Sequence, residues 1–353
     1  MFDLHSSIKN SKIEGLSRIL SSYKVDYDDI TVELGLSVDV YSVRLSLGTR
    51  VGRLERILPE IGMRLRSHSD PIGLVNSSDG VYSISVQTNQ ILSRDLESFK
   101  VDLLKDSDLL CPVVLGVDKS GSSMISDLSK MPNLLIGGVP GSGKSMLLHS
   151  IIASCIANGS DLYLCDPKLV EFSLYKGNSS VRSISYGVDD FRVECSKLIR
   201  VMNDRYLKIS SKGCSNFSEY NEVRGGFFTR GGVMKPSVLI IDEWADIYLE
   251  DKSVEKLVCT IAQKGRAAGI FVILATQRPS SNILSGLIKG SFPARIALKT
   301  STAVDSRVVL ESSGAEKMTD PGTGLYRDSY TFHPKLFRSP LVCRESVLDF
   351  IGN

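Results

Sequence analysis

Gly138-Val139-Pro140-Gly141-Ser142-Gly143-Lys144-Ser145 fills every fixed position of the phosphate-binding pattern G-x-x-x-x-G-K-[ST]. Each residue type has its own task. The glycines let the backbone close into a concave nest of N–H groups aimed at phosphate oxygens, Lys144 carries a positive charge to the β- and γ-phosphates, and the Ser145 hydroxyl suits Mg²⁺. Met146, which opens the apolar helical run that follows, is counted with the nucleotide-binding residues. At average residue usage a chain of this length meets the pattern by accident about 1% of the time. A nucleoside triphosphate, ATP, with Mg²⁺ is therefore the expected ligand.

Hydrolysis needs more than a phosphate loop. Val238-Leu239-Ile240-Ile241-Asp242-Glu243 is an apolar run ending in two carboxylates, of which Asp242 is assigned to the Mg²⁺ shell and Glu243 to the attacking water. Alone, such a pair could equally cap a turn or a helix. Downstream of a complete phosphate loop, the hydrolytic reading takes precedence. The run Ile270 to Ala275 ends in Thr276-Gln277-Arg278-Pro279, and Gln277 is the candidate for reaching the γ-phosphate and reporting its cleavage, with a hydrogen-bonded loop amide as the alternative. Arg266 stands too far along the chain for its own phosphate loop to be assumed as its target. It suits a neighbouring subunit's nucleotide as an arginine finger, or a surface ion pair.

These residues need rigid elements to hold them. Leu134 to Ile136 reads as a buried strand entering the loop, and Met146 to Ala157 as the helix leaving it, with Gly159 where a C′ glycine would end that helix. Short continuous apolar runs at 134–136, 162–165, 238–241, 270–275 and 295–298 predict a mostly parallel sheet covered on both faces. A long helix is expected from about Val188 to Ile209, followed by exposed loops near Gly213 and Gly225-Gly226. Before residue 109 the grammar differs. Stretches within 31–47 and Gly80 to Val86 alternate as half-buried strands, and Val51 to Leu65 reads as one helix with Leu54, Ile57, Leu58, Ile61 and Leu65 on one face. Arg53, Arg56, Arg64 and Arg66 lie opposite, as solvated surface or as a nucleic-acid or subunit contact. The expected division is a small α+β subdomain over 1–108 and a RecA-like α/β P-loop ATPase domain over 109–353.

With 353 residues the chain suits two domains, and a net charge of +2 excludes a wholesale basic surface, so any nucleic-acid contact must be a local stripe. The seven cysteines contain no C-x-x-C pair, and the four histidines are isolated, which fits a reduced, cytoplasmic protein with no metal beyond Mg²⁺. No run approaches the ~18–20 apolar residues of a membrane helix, and the first residues are not a signal sequence.

In combination these motifs resemble the motor of the FtsK/SpoIIIE family of DNA translocases. The matching segments follow in family order from Pro112–Asp118, Asp127–Leu135 and the phosphate loop through Asp166-Pro167-Lys168, Asp242–Asp246 and Gln263–Gly269. They continue with Ala275–Ser280, Gly286–Lys289 and Asp305-Ser306-Arg307, and span about 110 to 326. The resemblance implies a homohexameric ring threading double-stranded DNA, with ATP at subunit boundaries and Arg266 acting in trans. It also implies that Arg278, Lys289 and Arg307 touch DNA phosphates in the pore, independently of sequence.

Two departures stand out. Ala303 occupies a position where relatives usually carry Lys, so that one nucleotide- or DNA-sensing contact is either absent or moved to Lys299, and the chain has neither the winged-helix domain nor the membrane spans of some relatives. The expectation is a stand-alone translocase, with service to a virus or mobile element as one reading of its length, whose recruiting protein is not encoded here. An ATPase of a protein secretion system is the alternative, and a nucleotide-binding scaffold is a weaker one, opposed by Glu243 and Arg266.

Overall fold

The computed structural model describes the chain except residues 1, 35–37, 66, 68–70, 77–80, 88–93, 106–108, 120, 225–233, 331–332 and 353. Arg66, Gly80 and the Gly225-Gly226 segment of the sequence reading lie outside the described residues. The chain forms two compact units, one of residues 1–93 with 117–122 and one of 94–116 with 123–353. The sequence reading sets the division at 108, whereas packing sets it at 93. The 3₁₀ turn Leu96–Phe99 buries Leu96 and Phe99 completely and packs within the larger unit.

The smaller unit contains α1 (Phe2–Ser22), β1 (Tyr27–Glu33), β2 (Val38–Leu45), α2 (Val51–Arg56), α3 (Leu58–Arg64), β3 (Ile72–Asn76) and β4 (Val81–Gln87). Its strands form an antiparallel sheet in the order β1-β2-β4-β3. Period-two burial is clear in β1, where Ile30 and Val32 are buried and Thr31 and Glu33 exposed. Those side chains meet Leu16 and Leu20 of α1, Tyr41, Val43, Tyr82 and Ile84 in one core. The helix expected over 51–65 is two helices. Pro59 lies in the first turn of α3, its ring disfavours helical backbone at Leu58, and Ile57 between them leaves helical geometry at φ −99°, ψ 6°. The apolar face survives the break, with Leu54, Ile57 and Ile61 buried, while Arg53, Arg56 and Arg64 are exposed.

The larger unit begins with α4 (Lys100–Lys105), β5 (Pro112–Asp118), β6 (Ser123–Asp127), β7 (Asn133–Gly137), α5 (Lys144–Ala157), β8 (Asp161–Cys165) and β9 (Val181–Ser185). It continues through α6 (Val188–Ser210), α7 (Phe217–Val223), β10 (Ser237–Ile241), α8 (Trp244–Glu250), α9 (Val254–Lys264) and β11 (Ile270–Thr276). It closes with α10 (Gly286–Ser291), β12 (Ala294–Leu298), α11 (Ala303–Leu310), β13 (Thr323–Arg327), β14 (Lys335–Arg338) and α12 (Arg344–Ile351). The sheet order is β6-β5-β14-β13-β12-β7-β11-β10-β8-β9. From β12 to β9 all pairs are parallel, and β12-β13 and β13-β14 are antiparallel.

The five strands expected from apolar runs all sit in this parallel core, each within one residue of its expected ends. Every residue of β7, β10, β11 and β12 is buried, as strands covered on both faces must be. Asn133 is the polar exception in β7, and it is satisfied. Its amide donates to the carbonyls of Ala262 (2.8 Å) and Ser291 (3.0 Å), and its oxygen accepts from the Val272 N–H (3.2 Å). One side chain thus ties β7 to β11, α9 and α10, fixing the strand that feeds the phosphate loop.

Candidate nucleotide-hydrolysis site

Parallel strands place their carboxyl ends on one edge. Register pairs Gly137 with Thr276 and Ile241 with both Leu274 and Cys165. The residues that follow β7, β10 and β11 therefore converge although they are remote in sequence, as ligands do at the carboxyl edge of open α/β sheets.

The phosphate loop leaves β7 and is held by backbone bonds. The N–H of Gly138 donates to the Thr276 carbonyl (3.2 Å) and that of Val139 to the Lys299 carbonyl (2.9 Å). On its other flank the N–H of Gly322 donates to the Ser142 carbonyl (2.8 Å). Gly143 precedes α5 in left-handed geometry, φ 94°, and a Cβ there would approach the Gly322 nitrogen to 2.4 Å. Only glycine meets both demands. α5 ends in the expected manner, with Gly159 at φ 77°, its N–H on the Ile156 carbonyl and the Ser160 N–H on that of Cys155.

Lys144 is 3% exposed and Asp242 1%. The Lys144 ammonium donates to the Asp242 carboxylate (2.5 Å) and to its carbonyl (2.6 Å). Glu243 is equally buried and turns toward β11. Its Oε1 accepts from the Thr276 hydroxyl (2.7 Å), and the Gln277 N–H donates to Oε1 and Oε2 at 3.2 and 2.9 Å. It also caps α8 through the Ala245 N–H (3.3 Å). The Gln277 side chain is half-buried and forms no hydrogen bond among the described residues.

Ser145, expected to face Mg²⁺, donates to Oε1 of Glu171 (2.9 Å). Glu171 also lies 3.5 Å from Nε2 of His149, whose Nδ1 is 2.8 Å from the Tyr175 hydroxyl. The hydrogen bond from His149, then that from Ser145 and the nearby Lys144 charge, hold the Glu171 carboxyl below the usual carboxylate range against the effect of burial. Burial pushes the Tyr175 phenol up. Asp166 is fully buried and accepts from the N–H groups of Lys168 (3.2 Å) and Phe172 (2.9 Å), shaping the loop that presents Glu171.

The site thus brings together Lys144, Ser145, Asp242, Glu243 and Gln277. Arg266 is elsewhere. It precedes β11, whose far end carries Gln277, and seven extended residues separate the two by about 20 Å. The turn around it is anchored by Arg205, whose buried guanidinium donates to the carbonyls of Ala268 (2.9 Å) and Gly269 (3.3 Å) and to Ser237 Oγ (2.8 Å). Arg266 is exposed and forms no ion pair among the described residues, so the surface-pair alternative has no partner there. Arg278 follows β11, Lys289 lies on α10 and Arg307 on α11. Arg278 and Arg307 are exposed, Lys289 is half-exposed, and none is ion-paired among the described residues. Lys299 is exposed as well, and its carbonyl, not its ammonium, serves the phosphate loop.

Thr276, Glu171 and Gly322 escaped the sequence reading. A hydroxyl residue ending the strand before Gln277 was a usable signal for Thr276. Gly322 lies far along the chain and carried none.

The residues present fit a magnesium-bound triphosphate. The cradle at Gly143 has no room for a Cβ, and Ser142 Oγ is buried with no hydrogen-bond partner among the described residues. Among the described residues no helix is long and apolar enough to cross a membrane.

The sequence profile of the FtsK/SpoIIIE family matches residues 96–281. The DNA translocase FtsK of Campylobacter jejuni is 31% identical over 99% of this chain, and that of Leptospira interrogans 30% identical over 98%. The chain spans 38% and 37% of those two proteins. Among solved structures, the pCW3 conjugation coupling protein TcpA, a monomer form with ATPγS, superposes with a TM-score of 0.63. It is 20% identical, over 93% of this chain and 96% of that one. The cytoplasmic domain of the type VII secretion ATPase EccC of Thermomonospora curvata gives 0.62 at 20% identity, over 73% of this chain and 34% of that one. At such identities these two likenesses establish the P-loop ATPase fold.

Proposed function

The chain belongs to the FtsK/SpoIIIE family, and on that footing we propose that it is an ATP-driven, sequence-independent double-stranded DNA translocase working as a homohexameric ring in the cytoplasm. One observation carries the reading. Lys144, Asp242, Glu243 and Gln277 converge at one edge of the sheet, while Arg266, without an ion pair among the described residues, stands about 20 Å away at the opposite end of β11. A hydrolytic site that needs Arg266 is complete only when a second copy supplies it.

Ser145 and Asp242 would hold Mg²⁺, which would neutralise negative charge on the phosphates. On nucleotide binding Lys144 exchanges Asp242 for phosphate oxygens, which frees the Asp242 carboxylate. Glu243, held by Thr276 and the Gln277 amide, orients the attacking water. Because the Gln277 N–H is itself a donor to Glu243, any shift of Gln277 on loss of the γ-phosphate moves the carboxylate too. Arg278, Lys289 and Arg307 contact DNA phosphates in the ring's centre, and an unidentified protein recruits the ring.

The test is the ATPase rate with and without linear duplex DNA, paired with displacement of a triplex-forming strand. Stimulation by duplex together with strand displacement is expected. An unstimulated rate and an undisplaced strand would overturn the translocase reading, and stimulation by a secreted polypeptide instead would favour a secretion ATPase.

A further inference from the structure

Arg295 of β12 is 7% exposed, and a buried guanidinium is costly unless its donors are paired. Four acceptors meet it. Its Nε donates to the Phe292 carbonyl (3.0 Å), one amino group to the Lys289 carbonyl (2.8 Å), and the other to the Val309 carbonyl (3.3 Å) and the Glu311 carboxylate (2.9 Å). Carbonyls from the last turns of α10 and α11 are thereby held by one side chain.

Glu311 has a second cationic partner. Arg327 lies directly opposite Arg295 in the β12-β13 register, where two like charges repel. The Glu311 carboxylate bridges them, 3.3 Å from the Arg327 guanidinium, which also donates to the Leu310 carbonyl (2.8 Å). This bridging residue ends α11 in left-handed geometry, φ 61°, ψ 13°, a conformation that glycine adopts at lower cost. Its side chain is 54% exposed, so core packing does not explain why glutamate stands there. The carboxylate between two arginines does.

The residues tied together are two of those assigned to DNA. The Glu311 N–H donates to the Arg307 carbonyl (2.9 Å), and Arg295, its ion-pair partner, donates to that of Lys289. One ion pair thus bonds to the backbones of both Lys289 and Arg307, whose own side chains form no ion pair among the described residues. We propose that Glu311 and Arg295 are positioning residues that hold Lys289 and Arg307 at one fixed spacing for the phosphates of a DNA duplex. The proposal rests on the DNA reading of those two residues, and the experiment separates the two claims.

A bare charge and a positioning residue predict opposite signs. Removing a carboxylate beside cationic phosphate contacts raises affinity for DNA where Glu311 acts only as a charge, and lowers it where Glu311 keeps those contacts in place. Dissociation constants for a linear duplex of mixed sequence are measured on the full chain by fluorescence anisotropy. The proteins compared are the wild type, Glu311→Gly, which suits the left-handed turn, and Glu311→Gln, which keeps the side chain's length. Each change is also made in the Lys289→Ala, Arg307→Ala background. The expected result is at least about threefold weaker duplex binding in both variants, with no further weakening in the doubly substituted background. Unchanged or tighter binding in both variants, or equal weakening in the two backgrounds, overturns the proposal. A wild type that binds no duplex overturns the DNA reading itself, and the positioning role with it.

Discussion

The Thr276 hydroxyl donates to Oε1 of Glu243 at 2.7 Å, across the boundary between β11 and β10, with both side chains sealed from solvent. The hydroxyl and the Gln277 N–H fix the rotamer of the carboxylate to which water activation is assigned. Thr276→Val keeps the shape and removes the donor. It should lower kcat on the order of 10- to 100-fold while the KM for ATP stays nearly unchanged, as steady-state ATPase assays would show. Thr276→Ser should restore most of the rate. A rise in KM at constant kcat would place Thr276 in ground-state binding instead.

Lys144 and Asp242 form a buried pair, so their separation has a consequence independent of catalysis. Lys144→Ala should destabilise the nucleotide-free protein by about 3–5 kcal/mol because Asp242 is left charged and unpaired. Denaturant titration measures it. Lys144→Ala combined with Asp242→Ala should cost less than the sum of the two single changes, and Lys144→Ala should bind no Mg-ATP.

Arg266 cannot serve its own phosphate loop. Arg266→Ala should therefore bind Mg-ATP with wild-type affinity and fail to hydrolyse it, a loss of about 10³-fold or more for a trans arginine. Mixing it with Glu243→Gln protein should recover part of the rate at boundaries that combine one intact half from each. Hydrolysis by Arg266→Ala alone at the wild-type rate would remove Arg266 from the mechanism.

Arg278, Lys289 and Arg307 are predicted to meet phosphate. Replacing each by Ala should weaken duplex binding equally on unrelated sequences and reduce the slope of log affinity against log salt by about 0.9 per contact, leaving DNA-free ATPase unchanged. Fluorescence anisotropy at several salt concentrations reads both quantities. A sequence-dependent loss would contradict the assignment.

Glu171 makes an acid-limb prediction. Its carboxyl is held below the ordinary range by His149 first and Ser145 next, so the folded chain binds that proton less readily than the unfolded chain. The resulting stability is present above the ordinary carboxylate pKa near 4.3 and is lost as pH falls through the lower folded value. With its side chain 32% exposed, solvent screening limits it to under about 1 kcal/mol. Glu171→Gln should lower Tm slightly at pH 7, and the gap should close below pH ~4, as thermal melts across that range would show.

Much of the fold was legible because burial on two faces writes continuous apolar runs. Strands β7, β8, β10, β11 and β12 announced themselves this way, and helix α6 through apolar residues recurring at helical spacing. β9, β13 and β14 did not, since polar residues or glycine interrupt their apolar residues and leave no continuous run. The first helix escaped for a similar reason, and the break at Ile57 was obscured because the apolar face continues through it.

For the site, the division follows the range of each interaction. The phosphate loop is local, with all its determinants in eight consecutive residues and the helix they open, so the sequence by itself determined that phosphate is the ligand and that Asp242 and Glu243 end a buried strand. What those carboxylates touch is a property of strand order. Only the parallel register that sets Thr276 beside Gly137, and β10 beside both β11 and β8, decided that Lys144 rests on Asp242 and that Thr276 holds Glu243. It also decided that Arg266 lies at the other end of β11. These contacts join residues far apart in the chain, and chain spacing carries no record of them.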